Sequence, residues 1–291
     1  MESRKIQLVG KRTYAISLPK KWVIQNNLKE GNILFIEDFK DNELLIKTSE
    51  SGIKQKEKIT IYLKDIKNIS EFIVFCYMKN IQKIIIKFDK MKKEIFEINK
   101  ILKYLEGYEI TNETKEKIEI TFLFEGLNVN IRKMIKRIIY LLELMVDLIE
   151  EKDSFGLKKI EDKIDSLYFL SRRILFSCAK DPFLRNNEHI NSIEDVFFYL
   201  DMVKKFEAFG DILFRNQKIN YSKKDFEKLR KIIDNIYACL YKKQSLKFNE
   251  EFFKTNNKEM KRIFIPLASL IKDIYRDISS INLNEKFFQK N

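Results

Sequence analysis

Two stretches of this chain carry the same constellation in the same register: Leu157, Ile160, Glu161, Ile164, Asp165, Leu167 and Tyr168, then Val203, Phe206, Glu207, Gly210, Asp211, Leu213 and Phe214. At roughly 100° per residue, each Glu-x-x-x-Asp pair falls on the same helical stripe as its apolar neighbours. A carboxylate taken from water into an apolar seam must be neutralised, and the remedies are an arginine partner, protonation or a metal ion. Oxygen-only ligands at i and i+4 on facing helices favour iron, manganese, magnesium or zinc over copper. The competing reading leaves the acids at the edge of the stripe, paired with Arg172, Arg173, Arg215 or a lysine.

The run Phe206-Glu207-Ala208-Phe209-Gly210-Asp211-Ile212-Leu213 resembles the Glu-Arg-Ile-Gly-Asp signature of the PhoU family of phosphate-transport regulators. The run from Glu161 through Asp165 to Arg172 and Arg173 resembles the helix that precedes that signature in the family. The resemblance implies a three-helix repeat whose acidic motifs hold divalent or trivalent metal ions, in the form of a multinuclear iron or zinc cluster. Carried over residue by residue, Glu161, Asp165, Glu207 and Asp211 are the ligand candidates, with Asp162 adjacent. The arginine and isoleucine of the signature are Ala208 and Phe209 here, which removes any partner contact made through that arginine.

The elements that must position these acids belong to a folded, helix-rich chain. With 291 residues, 45% hydrophobic and only 7 Gly and 3 Pro, it can bury a sizeable core and divide into two or three domains. Cys76, Cys178 and Cys239 have no Cys-x-x-Cys spacing, which fits buried reduced thiols and a cytoplasmic setting. No run approaches the roughly 18–20 apolar residues of a membrane span, and Glu2, Arg4 and Lys5 interrupt any leader at the start.

A net charge of +13 suits an anionic partner, although a lysine-rich composition alone can produce it. Position is more telling, because Arg4, Lys5, Lys11, Arg12, Lys20, Lys21 and Lys29 face only Glu2 before Glu30 is reached. Lys5–Val9 and Thr13–Leu18 alternate with period two about the turn Gly10-Lys11-Arg12. Pro19 opens a helical turn carrying Trp22 and Val23, and Ile33–Ile36 and Glu43–Ile46 complete four short strands. So few residues make too small a core for a monomer, and dimerisation would supply the rest.

This segment resembles the SpoVT/AbrB swapped-hairpin domain, shared with MazE-type antitoxins, through Gly10–Tyr14, Ile16-Ser17-Leu18-Pro19-Lys20 and Leu28–Asn32. The resemblance implies an intertwined β-barrel homodimer that lays basic loops on DNA. By position Arg4, Lys11, Arg12, Lys20 and Lys21 are the DNA-binding candidates, and contacts of this kind go to phosphates without reading sequence. The alternative is a dimerisation module with a solvated basic face.

Between residues 54 and 124, Ile59–Leu63 and Ile84–Phe88 read as strands, with helices over about 70–79 and 92–105 and a hairpin from Tyr108 to Phe124. No Gly-rich phosphate loop and no nucleophile–base pair stands there. From Asn128 the period becomes about 3.6 residues. Helices are predicted over 130–150 and 154–179, the latter ended by Asp181-Pro182, with a third opened by Asn191-x-x-Glu194 and a fourth by Ser222-x-x-Asp225. The last, over 250–281, should kink or break near Pro266. Glu143/Asp147 repeat the acidic spacing, and Asp273/Asp277 read as a solvated salt-bridge face beside Lys272 and Arg276. His189 stands alone in a loop.

The expected fold class is therefore multidomain α+β: an N-terminal swapped-hairpin barrel (1–50), a small α+β middle domain (54–124) and an all-α PhoU-like bundle (128–291). The implied function is a non-enzymatic regulator of phosphate uptake, with the homodimer, DNA and phosphate-transporter or signalling-kinase components as partners. The competing function is an AbrB-type DNA-binding transcriptional regulator whose bundle only oligomerises and is unconnected with phosphate.

Overall fold

The computed structural model describes residues 3–10, 12–40, 43–48, 58–89, 94–124, 130–242, 244 and 248–288. Its contacts divide the chain into Met1–Ile53 and Lys54–Asn291.

In the first unit the period-two alternation becomes hairpins. Strand β1 (Gln7–Val9) pairs antiparallel with β2 (Thr13–Ala15), Val9 lying opposite Thr13. The turn between them begins at Gly10, whose φ of +60° is open to glycine because it lacks a Cβ. Pro19, with φ −61°, caps helix α1 (Lys20–Gln25), as its locked ring angle allows. Strands β3 (Phe35–Lys40) and β4 (Glu43–Lys47) form a second antiparallel pair. The four strands and the helical turn thus form as expected, the first two strands being shorter. None of the described side chains in this unit is fully buried.

The second unit begins as a sheet layer. Strand β5 (Lys58–Tyr62), helix α2 (Ile69–Met78), β6 (Lys83–Lys87), α3 (Glu94–Leu102), β7 (Tyr108–Glu113) and β8 (Lys117–Phe122) build a four-stranded sheet of order β5-β6-β8-β7. The β5–β6 pair is parallel because α2 crosses between them, and the other pairs are antiparallel. Asn68 starts α2 by accepting from the Glu71 N–H. One face of the sheet, carrying Ile84, Ile86, Ile118 and Ile120, joins Ile73, Cys76, Tyr77 and Ile98 in the core.

The bundle follows as α4 (Ile131–Glu151), α5 (Ser154–Lys180), α6 (Pro182–Asn187), α7 (Ile193–Arg215), α8 (Lys223–Tyr241) and α9 (Lys258–Phe288). Asn130, Asp153, Ser192 and Ser222 cap α4, α5, α7 and α8, with a full capping box between Ser222 and Asp225. Two expectations need correcting. Helix α7 is capped by Ser192, whose hydroxyl accepts from the Asp195 N–H, one residue later than the Asn191/Glu194 box. Helix α9 does not break at Pro266 but continues from Lys258 to Phe288, so of the kink or break expected there the break is excluded.

Gly210 lets the helices close. A Cβ there would stand 3.4 Å from Ile164 Cδ1 and 3.6 Å from Leu142 Cδ2 and Met145 Sδ, at ordinary contact distance, so α4, α5 and α7 meet at a point where alanine would just fit and a larger side chain would press on its neighbours. Arg173, 2% exposed, joins the bundle to the sheet layer. Its Nη1 donates to the Tyr77 carbonyl at 2.6 Å, and its guanidinium lies 3.9 Å from the Phe122 ring centre and 4.7 Å from that of Tyr77.

Candidate functional site

The basic residues of the first unit sit where a hairpin and a short helix present them. Arg4 precedes β1, Arg12 lies at the tip between β1 and β2, and Lys20 and Lys21 open α1; all four are exposed. Lys11, the fifth candidate, lies outside the described residues. The same unit exposes apolar side chains on its strands, including Leu8 at 59% and Ile36 at 64%, together with Val9, Ile16 and Leu44. That pattern inverts the normal arrangement, in which strands alternate so that one face is covered.

The acids of α5 and α7 do converge, as their spacing predicts, because the two helices pack with the Glu-x-x-x-Asp stripes near one another. Burial, and then the charges of Glu161, Glu207 and Asp211, push the Asp165 carboxyl up to about 7. Glu207 is raised by burial and by Asp211. The remaining acids are occupied from within the chain. Lys158 pairs with Glu161 and, at 3.0 Å, with Asp162, which also accepts from the Tyr104 hydroxyl at 2.9 Å. Arg215 pairs with Asp211.

The metal expectation is therefore overturned. Among the described residues no group of three or more His, Cys, Asp or Glu is arranged to hold a metal ion. The divalent or trivalent ions, and the iron or zinc cluster assigned to Glu161, Asp162, Asp165, Glu207 and Asp211, have no coordinating constellation. The physical reason lies in the neighbours: Lys158 pairs with Glu161 and Asp162, Arg215 pairs with Asp211, and burial raises the proton affinity of Asp165. Both partners were visible in the sequence, Lys158 three residues before Glu161 and Arg215 four after Asp211, at spacings that meet on a helix.

Arg172 and Arg173 do not serve these acids. Arg172 bonds the Tyr168 hydroxyl and Arg173 enters the aromatic cage below the sheet. Asp147 accepts from Arg230 of α8 at 2.7 Å, and Glu150 pairs with the same guanidinium. Asp277, read from the sequence as solvated, is 3% exposed and accepts from Lys205 Nζ at 2.6 Å, while the same ammonium reaches Asp201 at 2.6 Å. Burial pushes the Asp277 carboxyl up and Lys205 opposes it. This buried pair joins α7 to α9 across 72 residues of chain, and only a charged residue on an apolar stripe, Lys205 between Met202 and Phe209, could have announced it. His189 is exposed, as expected of a loop residue.

No helix among the described residues is long and apolar enough to cross a membrane. Residues 7–54 match the family model described as antidote-toxin recognition MazE, bacterial antitoxin. No curated protein and no solved structure gives a significant match. The start of the chain is thus a MazE/AbrB-like module followed by a large helical bundle, while the PhoU resemblance of that bundle gains no support from the comparisons.

Proposed function

We propose that this protein is a dimeric, non-enzymatic regulator that holds DNA through its N-terminal module. The carrying observation is a small unit, matched to MazE over residues 7–54, whose strands expose Leu8, Val9, Ile36 and Leu44 and which has no buried side chain among its described residues. A second copy of the same hairpins would cover those side chains and close a barrel, which removes both the apolar exposure and the open strand edges. The dimer would carry two sets of Arg4, Lys11, Arg12, Lys20 and Lys21, and twofold placement of basic loops suits the repeat of duplex phosphates. In this reading residues 1–50 bind, 54–124 connect, and 128–291 transmit or stabilise.

A salt series of duplex-DNA titrations on the full chain tests it. Replacing Arg4, Arg12, Lys20 and Lys21 together by Gln should flatten the dependence of log K on log salt by about 3 to 4 per chain, since each phosphate contact contributes about 0.9. Equal slopes in parent and variant would refute the assignment.

The finer reading, that the signal concerns phosphate uptake and reaches transporter or kinase components, draws support from the PhoU-like runs Glu161–Arg173 and Phe206–Leu213 alone. It now proceeds through protein contacts and not through a metal cluster. Its test is transcription of phosphate-uptake genes under phosphate limitation in cells lacking the protein. Unaltered transcription would leave the bundle as an oligomerising scaffold.

A further inference from the structure

The sheet of the second unit has an outer face that the bundle does not use. Register places Lys58 opposite Lys83, Thr60 opposite Ile85 and Tyr62 opposite Lys87; on the other side of β6, Thr121, Glu119 and Lys117 continue the same three rows. These residues alternate with Ile59, Ile61, Ile84, Ile86, Ile118 and Ile120, which point to the core, so they form one surface. Ile85 lies outside the core cluster that takes in its neighbours Ile84 and Ile86, yet it and Glu119 beside it are each 7% exposed, so the accessible groups of this face are mainly the lysines and Tyr62 of the two flanking rows.

Two features mark this face. Lys58/Lys83 and Lys87/Lys117 are like charges directly across from one another, an arrangement that destabilises a sheet. Glu119, in the middle row, offsets them in part: it pairs with Lys83 and Lys117, whose bonds, Lys117 first, draw its carboxyl down to about 2. The other acid facing this way is Glu109, opposite Thr121 on the edge strand. Lys58, Lys64 and Lys87 have no ion pair among the described residues. The second feature is Tyr62, 48% exposed, with the ammonium groups of Lys64 and Lys87 lying 5.4 and 5.7 Å from its ring centre.

We infer that this outer sheet face binds single-stranded nucleic acid, with Lys58, Lys64, Lys87 and Lys117 on phosphates and Tyr62 stacking on a base. A backbone bearing one negative charge per nucleotide relieves the lysine pairs, and an aromatic ring among cations is the combination that holds a single strand without reading its sequence. Duplex DNA fits poorly. Four strands at about 4.8 Å spacing span more than the roughly 12 Å width of a major groove, which admits only a two-stranded ribbon or a helix. Its residues belong to the unit that does not contain the N-terminal hairpins, and none of them is among the DNA contacts proposed for those hairpins.

The experiment uses the full chain and a fluorescent oligothymidylate of about a dozen nucleotides, a length within the usual site sizes. The combined Lys58→Gln, Lys64→Gln and Lys87→Gln variant should bind at least about tenfold more weakly, with the salt slope reduced by about 2, and Tyr62→Ala alone should cost about tenfold. The triple variant should melt no lower than the parent, because like charges have been removed. Arg12→Gln with Lys20→Gln and Lys21→Gln, which weakens duplex binding, should leave oligothymidylate binding intact. Failure of the parent to bind the oligonucleotide, equal binding by the lysine variant, or loss of binding in the N-terminal variant would each overturn the inference. So would binding to phosphatidylserine vesicles in place of the oligonucleotide.

Discussion

The two units solve the same problem in opposite ways. From residue 54 onward several of the polar groups that packing buries find partners on other elements of the same chain: Lys205 with Asp277, Asp195 with Asn284, Arg173 Nη1 with the Tyr77 carbonyl. Among the described residues of 1–53 no apolar side chain is buried, and Leu8, Val9, Ile36 and Leu44 stand in the open. One unit buries an extensive core of its own, whereas none of the described side chains of the other is buried. Substitutions in the first kind of unit should change stability by the same amount at every protein concentration, whereas those in the second should act through association.

The sharpest break in the unit with the buried core is Lys205→Met. It strands Asp277 and should lower unfolding free energy by about 3–5 kcal/mol, with most of the loss recovered in Lys205→Met/Asp277→Leu. Denaturant titration reads both; a loss that the double variant does not recover would mean the cost was packing rather than an unpaired charge. Arg173→Ala should cost about 2–4 kcal/mol by emptying the aromatic cage between sheet and bundle. A loss below about 1 kcal/mol would show that the sheet layer and bundle hold together without it.

Asp165→Asn should act in the other direction and depend on pH. The folded carboxyl sits at about 7, above its ordinary value near 3.8, so the folded state favours the protonated acid. Stability from this group is complete below about pH 4, falls as pH rises, and is lost above about pH 7. The asparagine variant should therefore gain about 1–3 kcal/mol over the parent at about pH 8 and little at about pH 4. A gain independent of pH would remove the repulsion among Asp165, Glu161, Glu207 and Asp211 from the account. The smallest effect is Ser222→Ala, which should cost about 1 kcal/mol through the α8 capping box.

Much of this was legible from residue patterns, and the failures have physical causes. The helices of the bundle declare themselves by their apolar stripes and by caps such as Ser222/Asp225, because those signals are local. The hairpin module was readable from Gly10–Arg12 and the alternation around it. Asp277 was misjudged because Lys272 and Arg276 are near in sequence, while the partner that matters, Lys205, is on another helix. The acids of α5 and α7 were placed together correctly, but their chemistry turned on Lys158 and Arg215, each a turn away on the same helix. The like-charge pairs on the sheet could not be seen at all without the register that aligns Lys58 with Lys83 and Lys87 with Lys117.

That the N-terminal hairpins are completed by a second chain is tested most directly by sedimentation equilibrium on the full protein and on a Leu8→Asp/Ile36→Asp variant. The parent should sediment at a multiple of 35.1 kDa and the variant as a single chain, with the helical circular-dichroism signal unchanged. A parent that stays a single chain across the concentration range, or a variant with the parent's mass, would contradict it.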